Sequence, residues 1–192
     1  MQSAVNRNEP IIVAPLAIVV MGVSGSGKST FGALLAARLG CDFIEGDEFH
    51  APTSIELMRS GQPLTDVERW PWLDRIGAAM TAEVKARGFA VAACSALKRC
   101  YRNRIIDSVP AATRFVFLDN DPDELRRRLA QRSDHYMPPS LLASQLATLE
   151  RPDSDEAALR LYTQAPPELL ADEVLGWLAK PLRAPRLKLR HS

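Results

Sequence analysis

Gly22-Val23-Ser24-Gly25-Ser26-Gly27-Lys28-Ser29 meets the spacing GxxxxGK[ST] at every fixed position. Glycines allow the backbone angles that turn several N–H groups onto one anion. A helix opening at Ser29 aims its N-terminus at that anion. In this pattern Lys28 reaches β and γ phosphate oxygens, the Ser29 hydroxyl ligates Mg²⁺, and Thr30 extends the contact. The chemistry these residues predict is binding of a nucleoside triphosphate and transfer of its γ-phosphoryl group. The competing reading is a Gly/Ser-rich turn without a ligand. It is disfavoured because the loop follows an apolar run and opens a helical one.

Three other segments carry groups suited to an acceptor. Glu45-Gly46-Asp47-Glu48-Phe49-His50 ends a short apolar stretch. There Asp47 could take or orient a hydroxyl proton, and Glu45 could hold Mg²⁺ through water; alternatively both carboxylates cap the next helix. In Cys94-Ser95-Ala96-Leu97-Lys98-Arg99-Cys100-Tyr101-Arg102 the small residues Ser95 and Ala96 leave N–H groups for a ligand. Lys98 and Arg102 are four apart and share a helix face, whereas Arg99 reads as a solvated cation. Arg126-Arg127-Arg128-Leu129-Ala130-Gln131-Arg132 leads into a polar, proline-containing break at 133–140. Arg128 and Arg132 lie one turn apart and fit a lid that adds positive charge near the γ-phosphate. Arg126 and Arg127 fit an ordinary exposed charge pattern.

These groups need a scaffold that brings strand ends together. Short apolar runs at 16–21, 42–45, 89–94, 114–118 and 158–162 read as strands. Helical spacing occupies 29–39, 53–60, 66–87, 98–106, 122–131, 141–149 and 166–179. Pro71 is expected to mark a first turn or a kink near the start of the long helix. The alternation implies an α/β fold, a parallel sheet with helices on both faces. Neither a repeat nor a long linker divides the chain, so 1–192 reads as one domain with a core at about 14–180. The tails 1–10 and 181–192 read as frayed.

Of the 192 residues, 46% are hydrophobic and 24% charged, with a net charge of only +1. That balance suits a buried core and gives no overall field towards nucleic acid or a membrane. Cys41, Cys94 and Cys100 lack CxxC spacing, so neither a zinc knuckle nor a disulfide framework is expected. Reduced thiols and a cytoplasmic location fit best. The apolar stretch 11–21 is interrupted by Pro15 and is too short to span a bilayer.

Taken together, MGVSGSGKST at 21–30, GDEFH at 46–50, SGQPLTDVERWPWL at 60–73, CSALKRCYR at 94–102 and RLAQRSDHYMPPSLLASQLATLERP at 128–152 resemble the gluconate kinases of the small P-loop type. These are relatives of shikimate and adenylate kinases. The resemblance runs from residue 16 to about 180. It implies a five-stranded parallel sheet in a nucleoside-monophosphate-kinase-like architecture, with mobile substrate-side helices at about 48–87 and a lid at about 126–140. It implies a cytosolic homodimer that makes 6-phosphogluconate from gluconate with ATP and Mg²⁺. By motif, Asp47 looks like the partner of the substrate hydroxyl, Lys98 or Arg69 like that of its carboxylate, and Arg128 and Arg132 like lid arginines. His50 and His135 could contact sugar hydroxyls. The chain departs from the family's pattern at Glu45, where Asp is common, and at Ala51, Ser54 and Leu57, all on the substrate side. A shikimate kinase would show a Gly-Gly-Gly turn in place of Ser95-Ala96-Leu97. A nucleoside kinase would need an aromatic slot, for which Trp70, Trp72 and Tyr101 are the candidates. A nucleotide switch would carry a carboxylate where this chain has Cys94-Ser95.

Overall fold

The computed structural model describes residues 10–130 and 140–181. Five parallel strands, β1 (Leu16–Met21), β2 (Phe43–Glu45), β3 (Phe89–Ala93), β4 (Ala112–Asp119) and β5 (Ala158–Tyr162), form one sheet in the order β2-β3-β1-β4-β5. Every residue of β1 is buried, because helices cover both faces of the central strand. Alternate side chains divide the core. Leu16, Ile18 and Val20 pack against α1 (Lys28–Leu39) and α7 (Pro167–Leu178). Ala17, Val19 and Met21 face α3 (Asp66–Arg87) and α4 (Arg99–Ser108).

Each strand and helix expected from the sequence lies within two residues of its observed bounds. Missed by that reading was the 3-10 turn Gly46–Phe49 that follows β2. Helix α3 starts at a capping box, with Thr65 accepting from the Glu68 N–H and Glu68 accepting from the Thr65 N–H, and stops at left-handed Gly88. Pro71 lies inside this helix, beyond its first turn, where its missing N–H leaves the Val67 carbonyl without the usual partner.

Helices α2 (Pro52–Arg59), α5 (Pro122–Ala130) and α6 (Ser140–Thr148) gather over the C-terminal ends of the strands. Val23, Leu97, Leu125, Leu129 and Leu142 form one apolar cluster there, and Met58, Leu64 and Leu141 another. One close approach matters for the site. A Cβ on Gly46 would stand 2.1 Å from the Ala93 carbonyl oxygen, so glycine lets the turn after β2 lie against β3.

Candidate active site

The phosphate loop joins β1 to α1 and is shaped by Gly22, Gly25 and Gly27, all at positive φ. Gly27 stands at the N-cap of α1 and offers no side chain to the first-turn N–H groups. A helix N-terminus without a side-chain cap is the arrangement that takes an anion. The Lys28 ammonium donates to the Val23 carbonyl at 3.0 Å, curled over its own loop. Ser24, Gly25, Gly27, Lys28, Ser29 and Thr30 form one wall of a solvent-open cleft of about 830 Å³. This wall fits the polyphosphate of a nucleotide, and Ser29 is the residue on it that could hold a divalent cation. Val23 is instead buried in the apolar cluster, and Ser26 is buried with an unpaired hydroxyl.

Asp47, His50, Arg69, Trp72 and Ser95 stand among the other lining residues. Asp47 is presented by the 3-10 turn, whose cap is the Glu45 carboxylate accepting from the Asp47 N–H at 3.4 Å. Glu45 itself is not among the lining residues; the capping alternative describes its observed bond. His50 stacks on Trp72 with ring centroids 4.3 Å apart, and the Trp72 indole N–H donates to the Gly46 carbonyl at 2.7 Å. Burial drives the His50 pKa down to about 4; Asp47 opposes the shift, and Arg69 and Arg75 add to it. The imidazole is thus neutral at pH 7, with Nδ1 buried and unpaired. The Arg69 guanidinium donates to the Leu64 carbonyl at 3.2 Å and 3.3 Å and lies 5.7 Å from the centre of the Tyr101 ring.

Two cations expected at the acceptor are engaged elsewhere. Lys98 is outside the cleft lining and bonds both carboxylate oxygens of Asp66, at 2.7 Å and 2.9 Å, while Tyr101 donates to the same carboxylate at 2.5 Å. Those two donors hold the Asp66 carboxyl below the usual range, and Asp66 in turn raises the Lys98 pKa. Arg102 does not serve the substrate. Its side chain is wholly buried, bidentate on Glu156 at 2.5 Å and 2.8 Å, and its remaining nitrogen donates to the carbonyls of Ala96, Leu97 and Glu150. The shared helix face with Lys98 thus points Arg102 inward. Arg128 is half-buried, outside the lining, and bonded to Glu124 at 2.9 Å. Arg132 and His135 lie outside the described residues.

The sequence reading missed the α6 face that closes the cleft: Leu141, Ser144, Gln145 and Thr148 all line it. Polar residues at this spacing on an otherwise apolar helix were the available signal. Gln145 is buried and accepts from the Ser24 N–H of the phosphate loop at 2.6 Å. Among the described residues no group of three or more His, Cys, Asp or Glu is placed to hold a metal. No described helix is long and apolar enough to cross a membrane.

The family described as "AAA domain" matches residues 18–152. A gluconokinase of Gluconobacter oxydans is 47% identical over 162 residues, covering 84% of this chain and 90% of that protein. The crystal structure of a sugar kinase from Janibacter sp. superposes with a TM-score of 0.79 at 44% identity, covering 84% of this chain and 93% of that one. A gluconokinase structure from Sinorhizobium meliloti gives 0.76 at 44% identity, covering 86% and 92%.

Proposed function

The chain belongs to the gluconokinase family of P-loop kinases, and on that premise we propose that it transfers the γ-phosphoryl group of ATP to the 6-hydroxyl of D-gluconate, giving 6-phosphogluconate and ADP. The observation that carries the proposal is the two-walled cleft, with Lys28 and Ser29 on one side and Asp47, His50 and Arg69 on the other. Phosphoryl transfer has a loose transition state, so catalysis consists of alignment and charge neutralisation.

On nucleotide binding the Lys28 ammonium exchanges the Val23 carbonyl for β and γ phosphate oxygens. Ser29 would hold Mg²⁺, which would supply further neutralisation of the phosphate charge. Asp47 receives the hydrogen bond of the attacking hydroxyl and points its oxygen at the γ-phosphorus. Arg69 takes the carboxylate, because guanidinium offers the paired donors that a carboxylate accepts and its side chain is already in the cleft. Lys98 acts behind it by fixing Asp66 and Tyr101, against which Arg69 rests. Neutral His50 offers a ring nitrogen to a sugar hydroxyl without adding charge. The working form is a cytoplasmic homodimer with one catalytic domain per chain, a state to be checked by light scattering.

The test is ADP release coupled to a reporter enzyme, run with gluconate, other aldonates, shikimate and nucleosides. Turnover dependent on gluconate is expected. Preferential turnover of shikimate or a nucleoside would replace the acceptor, and turnover without any acceptor would replace the kinase reading.

A further inference from the structure

Helix α6 touches both halves of the cleft. Its Gln145 side chain accepts from the Ser24 N–H at 2.6 Å, and this contact is buried. The donor belongs to the loop that must hold its shape around the phosphates. On the same helix Ser144 and Thr148 line the cleft, and Leu141 packs on Met58 and Leu64 of the acceptor wall. Leu142 meanwhile packs with Val23 of the loop. One helix of nine residues thus carries both the contact to the acceptor wall and the contact to the loop amide.

We infer that Gln145 is a positioning residue that fixes the phosphate loop through Ser24 and makes nucleotide binding and acceptor binding mutually dependent. The second half of this statement rests on the acceptor reading above; the first does not. A buried N–H that loses its acceptor is costly, so the loop keeps its binding shape only while α6 is docked. An acceptor that braces α6 against the cleft then favours the same loop conformation that the nucleotide requires. Linkage makes the effect reciprocal.

The experiment compares the full-length protein with Gln145→Met, which keeps length but removes the acceptor, and Gln145→Glu, which retains an acceptor for the N–H. Three quantities are read: hydrogen exchange at the Ser24 amide, affinity for the Mg²⁺ complex of a non-hydrolysable ATP analogue, and the change in that affinity caused by gluconate. In the wild type, gluconate should tighten the analogue by about 5-fold or more. The Met variant should lose Ser24 protection, bind the analogue about 10-fold more weakly and show a gluconate effect near one. The Glu variant should keep Ser24 protection and the gluconate effect, while binding the analogue less well because a negative charge sits near the phosphates.

Unchanged Ser24 exchange and analogue affinity in the Met variant would overturn the positioning role. Equal loss of protection in both variants, with a lowered melting temperature, would make Gln145 a packing residue. A wild type that turns over gluconate without any change in analogue affinity would overturn the linkage. A wild type indifferent to gluconate in both binding and turnover would overturn the acceptor reading and the linkage, leaving the exchange and affinity tests of the loop contact decisive on their own.

Discussion

At the scale of single residues, the two cations proposed for the acceptor carboxylate have different surroundings and so predict different kinetics. Arg69 lines the cleft, whereas Lys98 is bonded to Asp66 behind it. Arg69→Met should lower kcat/KM for gluconate by about 10–100-fold, the loss of a charged hydrogen bond, and should affect a neutral open-chain polyol far less. Lys98→Met should lower turnover of both substrates by a similar, smaller factor, because it frees Asp66 and Tyr101 without removing a carboxylate contact. Steady-state assays on both substrates decide; a carboxylate-selective loss at Lys98 would reverse the assignment. His50 predicts a pH effect on stability. Its folded pKa of about 4 lies below the ordinary value of 6.5, so between these pH values the unfolded chain binds the extra proton. Stability from neutral His50 is full above pH 6.5 and is lost as the pH falls towards 4. Urea titrations should show the wild type losing about 2 kcal/mol more than His50→Phe between pH 7 and 5. Parallel curves would contradict a buried neutral imidazole.

At the scale of elements, Arg102 ties α4 to the segment before β5. The guanidinium meets Glu156 and the carbonyls of Ala96, Leu97 and Glu150 in one buried junction. Arg102→Met leaves Glu156 charged and without its partner, so unfolding free energy should drop by about 3–5 kcal/mol, measured by denaturant titration. A cost below 1 kcal/mol would mean that the junction rearranges freely. This junction also shows where sequence reading stops. Spacing put Lys98 and Arg102 on one face but could not say that the face turns inward, because the partner Glu156 lies 54 residues away. Local patterns were sufficient for β1, the phosphate loop and α3, which were read from an apolar run, glycines and helical spacing; the capping box Thr65–Glu68 that starts α3 was equally local but was not read. Glu45 was legible only as two alternatives, since a carboxylate before a turn suits a cap and a metal equally well. The polar face of α6 was overlooked because its significance depends on where the helix docks.

At the scale of the molecule, the central strands serve two cores at once. Trp72 belongs to the cluster on one face of the sheet, and Trp177 packs against the cluster on the other. Loss of either layer exposes β1 to water, so the chain should unfold in one cooperative step. Fluorescence of Trp72→Phe and Trp177→Phe, read with far-ultraviolet circular dichroism, should give coincident midpoints once corrected for each variant's own stability. Separate midpoints would divide the chain into independent units. The strand order has a further consequence, for inheritance. Among the described residues β2 is an edge strand, paired with β3 alone. Asp47, His50, Arg69, Trp72 and Ser95 all lie in the unbroken stretch from the end of β2 to the loop after β3, while the phosphate loop precedes that stretch. Substitutions at these five positions can reshape most of the acceptor wall without changing a residue of the phosphate loop, with α6 and Lys98 contributing from beyond the stretch. The architecture lets the chemistry be passed on intact while the choice of acceptor diverges.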